Sequence, residues 1–221
     1  MKIAYAKMTT VLEYPEDGFL SLVIEEPRFY YEFLEEFRNY LDGMDTGFVI
    51  SENDKPWPSP QRAAMVMDYP SLDLSSKTVI TKVIRELQSI AEDETFYMET
   101  HALLAQLEEL IYRYSQQKDY ELGFEKLNMA SVLKSIGIYI EDDSETLEER
   151  LLAYMDLMSE VEGKELFIFV NLRTFVPTAR LEAMLDTALQ REHCILLVDG
   201  TEYPRLAKEK RLIVDEDLCE F

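Results

Sequence analysis

The apolar residues of this chain change their spacing repeatedly along its length. Residues 19–24 (FLSLVI) form a nearly unbroken apolar run that predicts a strand, stopped by Glu26-Pro27. Phe29, Phe33, Phe37 and Leu41 then recur every fourth position, which predicts a helix over 28–42 ending at Gly43. A second strand is expected at 47–50, an irregular proline-rich loop at 56–60, and a third strand over 63–69 closed by Pro70.

The middle of the chain reads as helical. Ser75 or Ser76 is placed to cap a helix carrying Val79, Ile80, Val83, Ile84, Leu87 and Ile90. A second helix, from about 95 to 117, carries Leu103, Leu104, Leu107, Leu110, Ile111 and Tyr114. A shorter one covers 129–135 and stops at Gly137. The third long helix begins at Ser144, where Glu145 and Glu148 suit the positive end of the helix dipole. It runs through Leu147, Leu151, Met155 and Met158 to Gly163.

In the last third, 166–170 (LFIFV) and 195–198 (ILLV) have the unbroken apolar character of strands buried on both faces. A helix over 178–191 separates them, and a short strand at 212–214 follows. The succession predicts an α/β class: a head made from both ends of the chain, 1–70 and 164–221, with a helical insertion over 71–163 projecting from it.

At 221 residues, with 47% apolar and 11% aromatic side chains, the chain is long and apolar enough to bury a sizeable core. No apolar run reaches the roughly 20 residues a membrane span needs, and the first residues lack the apolar stretch of a signal peptide. Two cysteines, Cys194 and Cys219, make a disulfide framework unexpected. These features predict a cytoplasmic protein. The charge alters the picture most: 44 acids against 22 bases leave a net −22. Nucleic acid is held by clustered Lys and Arg, so a DNA role needs a local basic surface, a bound cation, or both.

Four constellations bear on chemistry. Strand 63–69 leads toward Ser76-Lys77-Thr78 at a helix start, the order in which a phosphate-binding loop ends. None of the seven glycines lies in that loop, so its N–H groups cannot easily turn inward around a phosphate chain, and a simple helix cap is the competing reading. Of the buried strands, one ends in Asn171 and only 195–198 ends in an acid, Asp199, where a nucleotide's metal would be held. His101 and the neighbours His193-Cys194 offer no arranged nucleophile and base. Asp119, Glu121 and Glu125 surround a helix break at Gly123, and Asp142-Asp143 follow nearby. Such acids are either a solvated turn or a seat for a hard cation such as calcium. Lys77, Lys82 and Arg85 on one helix, and Lys118, Lys126 and Lys134 beyond the next, are either wet-face bases or a DNA-facing stripe.

Several stretches, taken in order, resemble the ring-forming adaptation proteins of type II-A CRISPR loci. Residues 68–82 (DYPSLDLSSKTVITK) resemble that family's passage from head to helical leg. Residues 132–158 (VLKSIGIYIEDDSETLEERLLAYMDLM) resemble its Leu-Lys-Ser-Leu-Gly-Val segment and the helix after it. LFIFVN at 166–171 and ILLVDGTEY at 195–203 resemble its last buried strands, and IVDEDL at 213–218 its closing strand. The match spans most of 60–221 and is weaker over 1–58.

The resemblance implies a head like a degenerate P-loop ATPase that binds no nucleotide, an extended helical leg and no enzymatic activity. It also implies a homotetrameric ring that takes double-stranded DNA ends without sequence preference, assisted by calcium. The role so implied is in spacer acquisition, part of antiviral defence, beside the CRISPR integrase and the RNA-guided nuclease of the same locus. Through it, Asp119, Glu121 and Glu125 become the expected metal residues, and Lys82, Arg85, Lys126 and Lys134 the expected DNA contacts. The rival expectations are a P-loop-like NTPase and an acidic protein-interaction module without DNA binding.

Overall fold

The computed structural model describes all 221 residues, which divide into two compact units: 1–72 with 143–221, and 73–142. In the first unit the apolar run at Phe19–Ile24 is strand β3, preceded by β1 (Lys2–Tyr5) and β2 (Leu12–Glu13). Helix α1 (Pro27–Leu41) follows, then β4 (Phe48–Glu52), β5 (Lys55–Pro56) and β6 (Ala63–Val66). The second unit holds α2 (Lys77–Ala91), α3 (Tyr97–Ser115) and α4 (Met129–Ile136). The chain then returns to the first unit with α5 (Leu147–Glu162), β7 (Leu166–Val170), α6 (Thr178–Gln190), β8 (Cys194–Asp199) and β9 (Glu209–Val214). The protein is therefore α/β, as its apolar pattern predicts.

Five parallel strands in the order β6-β7-β8-β3-β9 make the main sheet, and every residue of β3 and β7 is buried. That is the condition under which a strand reads as an unbroken apolar run. On one face Leu20, Leu22, Ile168, Leu196 and Val198 meet Phe29, Phe33 and Phe37 of α1. The same stripe of α1 also packs on an antiparallel sheet, β2-β1-β4-β5. There Tyr5 and Phe48 stack at 4.2 Å, and Phe33 meets both rings edge-on. The opposite face of the main sheet is covered by α5 and α6, with Tyr154 of α5 edge-on to Phe167.

Of the small sheet only β4 has a counterpart in the expected elements, the strand at 47–50, because β1, β2 and β5 are too short for periodicity to register. The helix placed at 144–163 belongs with the sheets and not with the helical insertion. Leu151, Met155 and Met158 are buried with the first unit, and the boundary falls at 142/143 instead of 163/164. That helix starts at Leu147, because Thr146 and Glu149 form a reciprocal capping box. The C-terminus is tied back: the Glu220 carboxylate accepts the N–H groups of Thr9 and Thr10 (2.7 and 2.6 Å) and the Thr9 hydroxyl (2.9 Å).

Within 73–142, α2 packs against α4, and the Ser75 hydroxyl bonds the backbone of Ile140 through both N–H (2.8 Å) and carbonyl (3.3 Å). The apolar stripes expected to build a core here are largely wet. Helix α3 buries only Thr100, Leu104 and Ser115 over its 19 residues, α4 buries none, and Leu87, Ile90 and Leu103 are exposed. Thirteen of the protein's 21 exposed large apolar side chains lie in this unit.

Candidate functional site

Open α/β sheets bind ligands beyond the carboxyl ends of their strands, so that edge is the first place to look. The strand-turn-helix that could cradle a phosphate is β3 and α1. Pro27 fits the first turn, where no N–H is needed, and Glu26 supplies the cap. Its carboxylate accepts the N–H groups of Arg28 (3.1 Å) and Phe29 (2.6 Å). The positive helix end thus already holds an anion, and it is the protein's own.

The neighbouring strand β8 ends in Asp199, which is 0% exposed. One of its carboxylate oxygens lies 3.1 Å from Nε of Arg173, yet neither oxygen accepts an aligned hydrogen bond. Burial pushes this carboxyl up to about 6, Arg173 and Arg211 opposing and Glu209 assisting. Arg173 also donates to Glu209 Oε1 (2.8 Å), Ser21 Oγ (3.2 Å) and the Pro204 carbonyl (3.2 Å). Burial works against the charge on Glu209, but hydrogen bonds from Arg211, the Leu206 N–H and Arg173 outweigh it and hold that carboxyl below its usual range.

Two tyrosines complete the edge. Tyr69 donates to the Val170 carbonyl (2.9 Å), and Tyr30 lies beside the end of β8, 3.5 Å from the Val198 carbonyl. Burial, then the charge of Asp199, raises both phenols well above their ordinary range.

The nucleotide candidate read from sequence is not assembled. Strand β6 ends at Val66, ten residues before Ser76, and the two lie in different compact units. Ser76 is a helix cap, accepting the Val79 N–H at 3.4 Å. Arg173 had no signal in the sequence, whereas the Glu26 cap was legible as an acid before proline but read only as a strand stop.

Nucleophiles fare no better. Burial raises the Cys194 thiol, so it is not an activated thiolate. His193 bridges Asp156 (Nε2, 2.9 Å) and Ser159 (Nδ1, 3.4 Å), a Ser-His-Asp set in composition. The Ser159 hydroxyl donates instead to the Lys164 carbonyl (2.9 Å), and Asp156 is also paired with Arg191. The group ties the end of α5 to the start of β8. His101 is exposed on α3 beside the Tyr97 ring.

The expected metal residues Asp119, Glu121 and Glu125 are all exposed in the stretch between α3 and α4, which has no regular structure after residue 120. No three His, Cys, Asp or Glu side chains converge as a metal group. The three carboxylates stand apart on irregular backbone and face solvent. Of the expected DNA residues, Lys82 (partly buried) and Arg85 are on α2, Lys134 is on α4, and Lys126 lies between α3 and α4. All four lie in the helical unit. Lys126 lines a groove of about 710 Å³ with Glu108, Ile111, Tyr112, Phe124 and Leu127. The Leu127 N–H donates to Glu108 (2.9 Å) across it. No helix is long and apolar enough to cross a membrane.

Comparison with known proteins bears on what this arrangement serves. The CRISPR-associated protein Csn2 of Streptococcus agalactiae is 19% identical to this chain over 197 residues, 89% of this chain and 87% of its own. The family model described as CRISPR-associated protein (Cas_Csn2) matches residues 40–218, which takes in most of the main sheet and the whole helical unit. With that match running through both units, the chain belongs to the Cas_Csn2 family of CRISPR-associated proteins.

Proposed function

We propose that this protein is a non-enzymatic, ring-forming binder of double-stranded DNA ends that assists spacer acquisition in CRISPR antiviral defence. The observation that carries the non-enzymatic part is the self-occupied carboxyl edge of the main sheet. Glu26 sits where a phosphate would, and Arg173 contacts the acid that would otherwise hold a metal. This supports a P-loop-like head without nucleotide. Family membership supports the CRISPR role.

Assembly as a homotetramer through a helical leg is supported by the wet apolar surface of 73–142. Its few buried apolar residues are too little core for a 70-residue unit standing alone. Calcium belongs to the reading through the family resemblance, and Asp119, Glu121 and Glu125 would have to converge to take part. The integrase and RNA-guided nuclease of the locus are the expected partners, in the cytoplasm.

A gel-shift series of linear against closed-circular DNA across calcium concentrations tests this. Retention of linear DNA alone is the expected result, since a ring is threaded from an end. Equal binding of circles would remove threading, and no binding at any calcium level would leave the acidic interaction module. ATP turnover by the wild-type protein that is lost in Asp199→Asn, at the acid that would hold the nucleotide's metal, would establish the NTPase instead.

A further inference from the structure

The end of helix α5 is fastened to the start of β8 through one imidazole ring. His193 is 8% exposed, and Phe167 of β7 stands edge-on to it. Its Nε2 lies 2.9 Å from Asp156 Oδ1 and its Nδ1 lies 3.4 Å from Ser159 Oγ, both on α5.

The groups around the ring leave it one protonation state. The Asp156 carboxylate, also paired with Arg191 through Oδ2, can only accept, so Nε2 must carry a hydrogen. Ser159 Oγ lies 2.9 Å from the Lys164 carbonyl oxygen, and two oxygens that close need a proton between them. The hydroxyl has only that proton to give, so it turns a lone pair toward Nδ1, and Nδ1 must donate as well. Only the imidazolium donates from both nitrogens. The other charged groups nearby are engaged: Arg191, after α6, takes the second Asp156 oxygen, and Glu162 and Lys164 pair with each other at 3.6 Å. Cys194, next in the chain, packs on the opposite face of the sheet.

We propose that His193 is a proton-dependent clasp on the amino edge of the main sheet, closed when both ring nitrogens carry hydrogen and loosened when one is lost. A neutral ring sets a bare nitrogen against either the Asp156 carboxylate or the Ser159 lone pair, so one of the two bonds is given up. The closed form holds the extra proton, and raising the pH therefore favours the loosened one. The clasp governs more than its own two elements. The segment it holds also anchors the approach to β6, where the Lys164 ammonium donates to the Gln61 carbonyl (2.6 Å) and the Glu165 N–H to the Arg62 carbonyl (2.7 Å).

The test uses the full-length His101→Asn protein, in which His193 is the one remaining histidine. Proton–nitrogen NMR follows the ring upward from about pH 5 until it has lost one proton. Amide exchange, corrected for its intrinsic pH dependence, is read at Gly163 and Lys164, whose N–H groups bond the Ser159 and Met158 carbonyls in the last turn of α5. Protection there should fall about tenfold in step with the ring's deprotonation, the worth of one hydrogen bond to a charged group. In His193→Gln the same amides should show no such step. Protection that stays constant while the ring becomes neutral would overturn the clasp. So would a step of equal size in His193→Gln, and the first comparison decides alone if that variant does not fold.

Discussion

Asp199 offers the sharpest test of the buried network, and Asp199→Asn is the perturbation. The carboxyl is pushed from 3.8 to about 6 in the folded protein, chiefly by burial. A raised acid means that the folded state holds its proton more tightly than the unfolded chain, so stability is lost as pH rises from about 4 through 6. The charged form costs about 1 kcal/mol at pH 4.5 and about 3 kcal/mol at pH 7.5, by linkage between those two values. The asparagine variant carries no such term. Whatever fixed penalty it incurs at Arg173, its stability relative to wild type should improve by about 2 kcal/mol across that window. The single tryptophan, Trp57, is buried in the core of the first unit, so its fluorescence in urea reports the unit that holds Asp199. Other titrating groups common to both proteins cancel in the difference. A difference that stays flat with pH, or favours wild type more as pH rises, would show that Arg173 keeps Asp199 comfortably charged and would refute the reasoning.

Further outcomes follow from individual contacts. Phe33→Ala removes a fully buried ring lying edge-on to Tyr5 and Phe48 and should cost about 3–5 kcal/mol in the same urea experiment. Glu26→Ala takes the cap from α1 and should cost about 1 kcal/mol, with Trp57 emission in the folded state unchanged. Glu220→Ala should speed amide exchange at Thr9 and Thr10, whose N–H groups it accepts. Burial opposes the Glu220 charge, but those Thr hydrogen bonds prevail and lower its carboxyl, so wild-type protection there should fall as pH drops through the acid range.

What the sequence revealed, and what it hid, divides along physical lines. Strands buried on both faces, such as β7 and the 195–198 stretch of β8, announce themselves because nearly every position is apolar, and the four-residue spacing of Phe29, Phe33 and Phe37 needs only local geometry. The four residues of β1 alternate correctly, with Ile3 and Tyr5 buried, but so short a stretch carries too little signal to be heard. Helix α5 is amphipathic like α2, and nothing in its own residues says whether its apolar side meets a sheet or other helices, so the pattern alone does not locate the unit boundary at 142/143. The site suffered most. Arg173 reaches Glu209, 36 residues away, and Ser21, 152 residues away, and no local pattern marks an arginine for such a contact. The Lys77-Thr78 pair has phosphate-loop order along the chain, whereas the strand and helix that meet at the sheet edge are β3 and α1.

That edge also bears on where function can reside. A nucleotide at a parallel sheet asks for free N–H groups at a helix start, an acid to hold a cation, and a crevice between them. Here Glu26 takes N–H groups of α1, Arg173 contacts Asp199, and Tyr30 stands beside the end of β8. To admit a phosphate the protein would have to expel its own carboxylate, and to admit a metal it would have to part a buried ion pair, a change that leaves an uncompensated charge. The first unit is thus chemically closed at the place where its fold is usually open, and most of its bases are engaged in ion pairs. The helical unit has the opposite character: unpaired bases, exposed aromatics and a small core. A large anionic partner fits the unit whose side chains are still uncommitted, which is why the DNA and assembly readings both fall on 73–142.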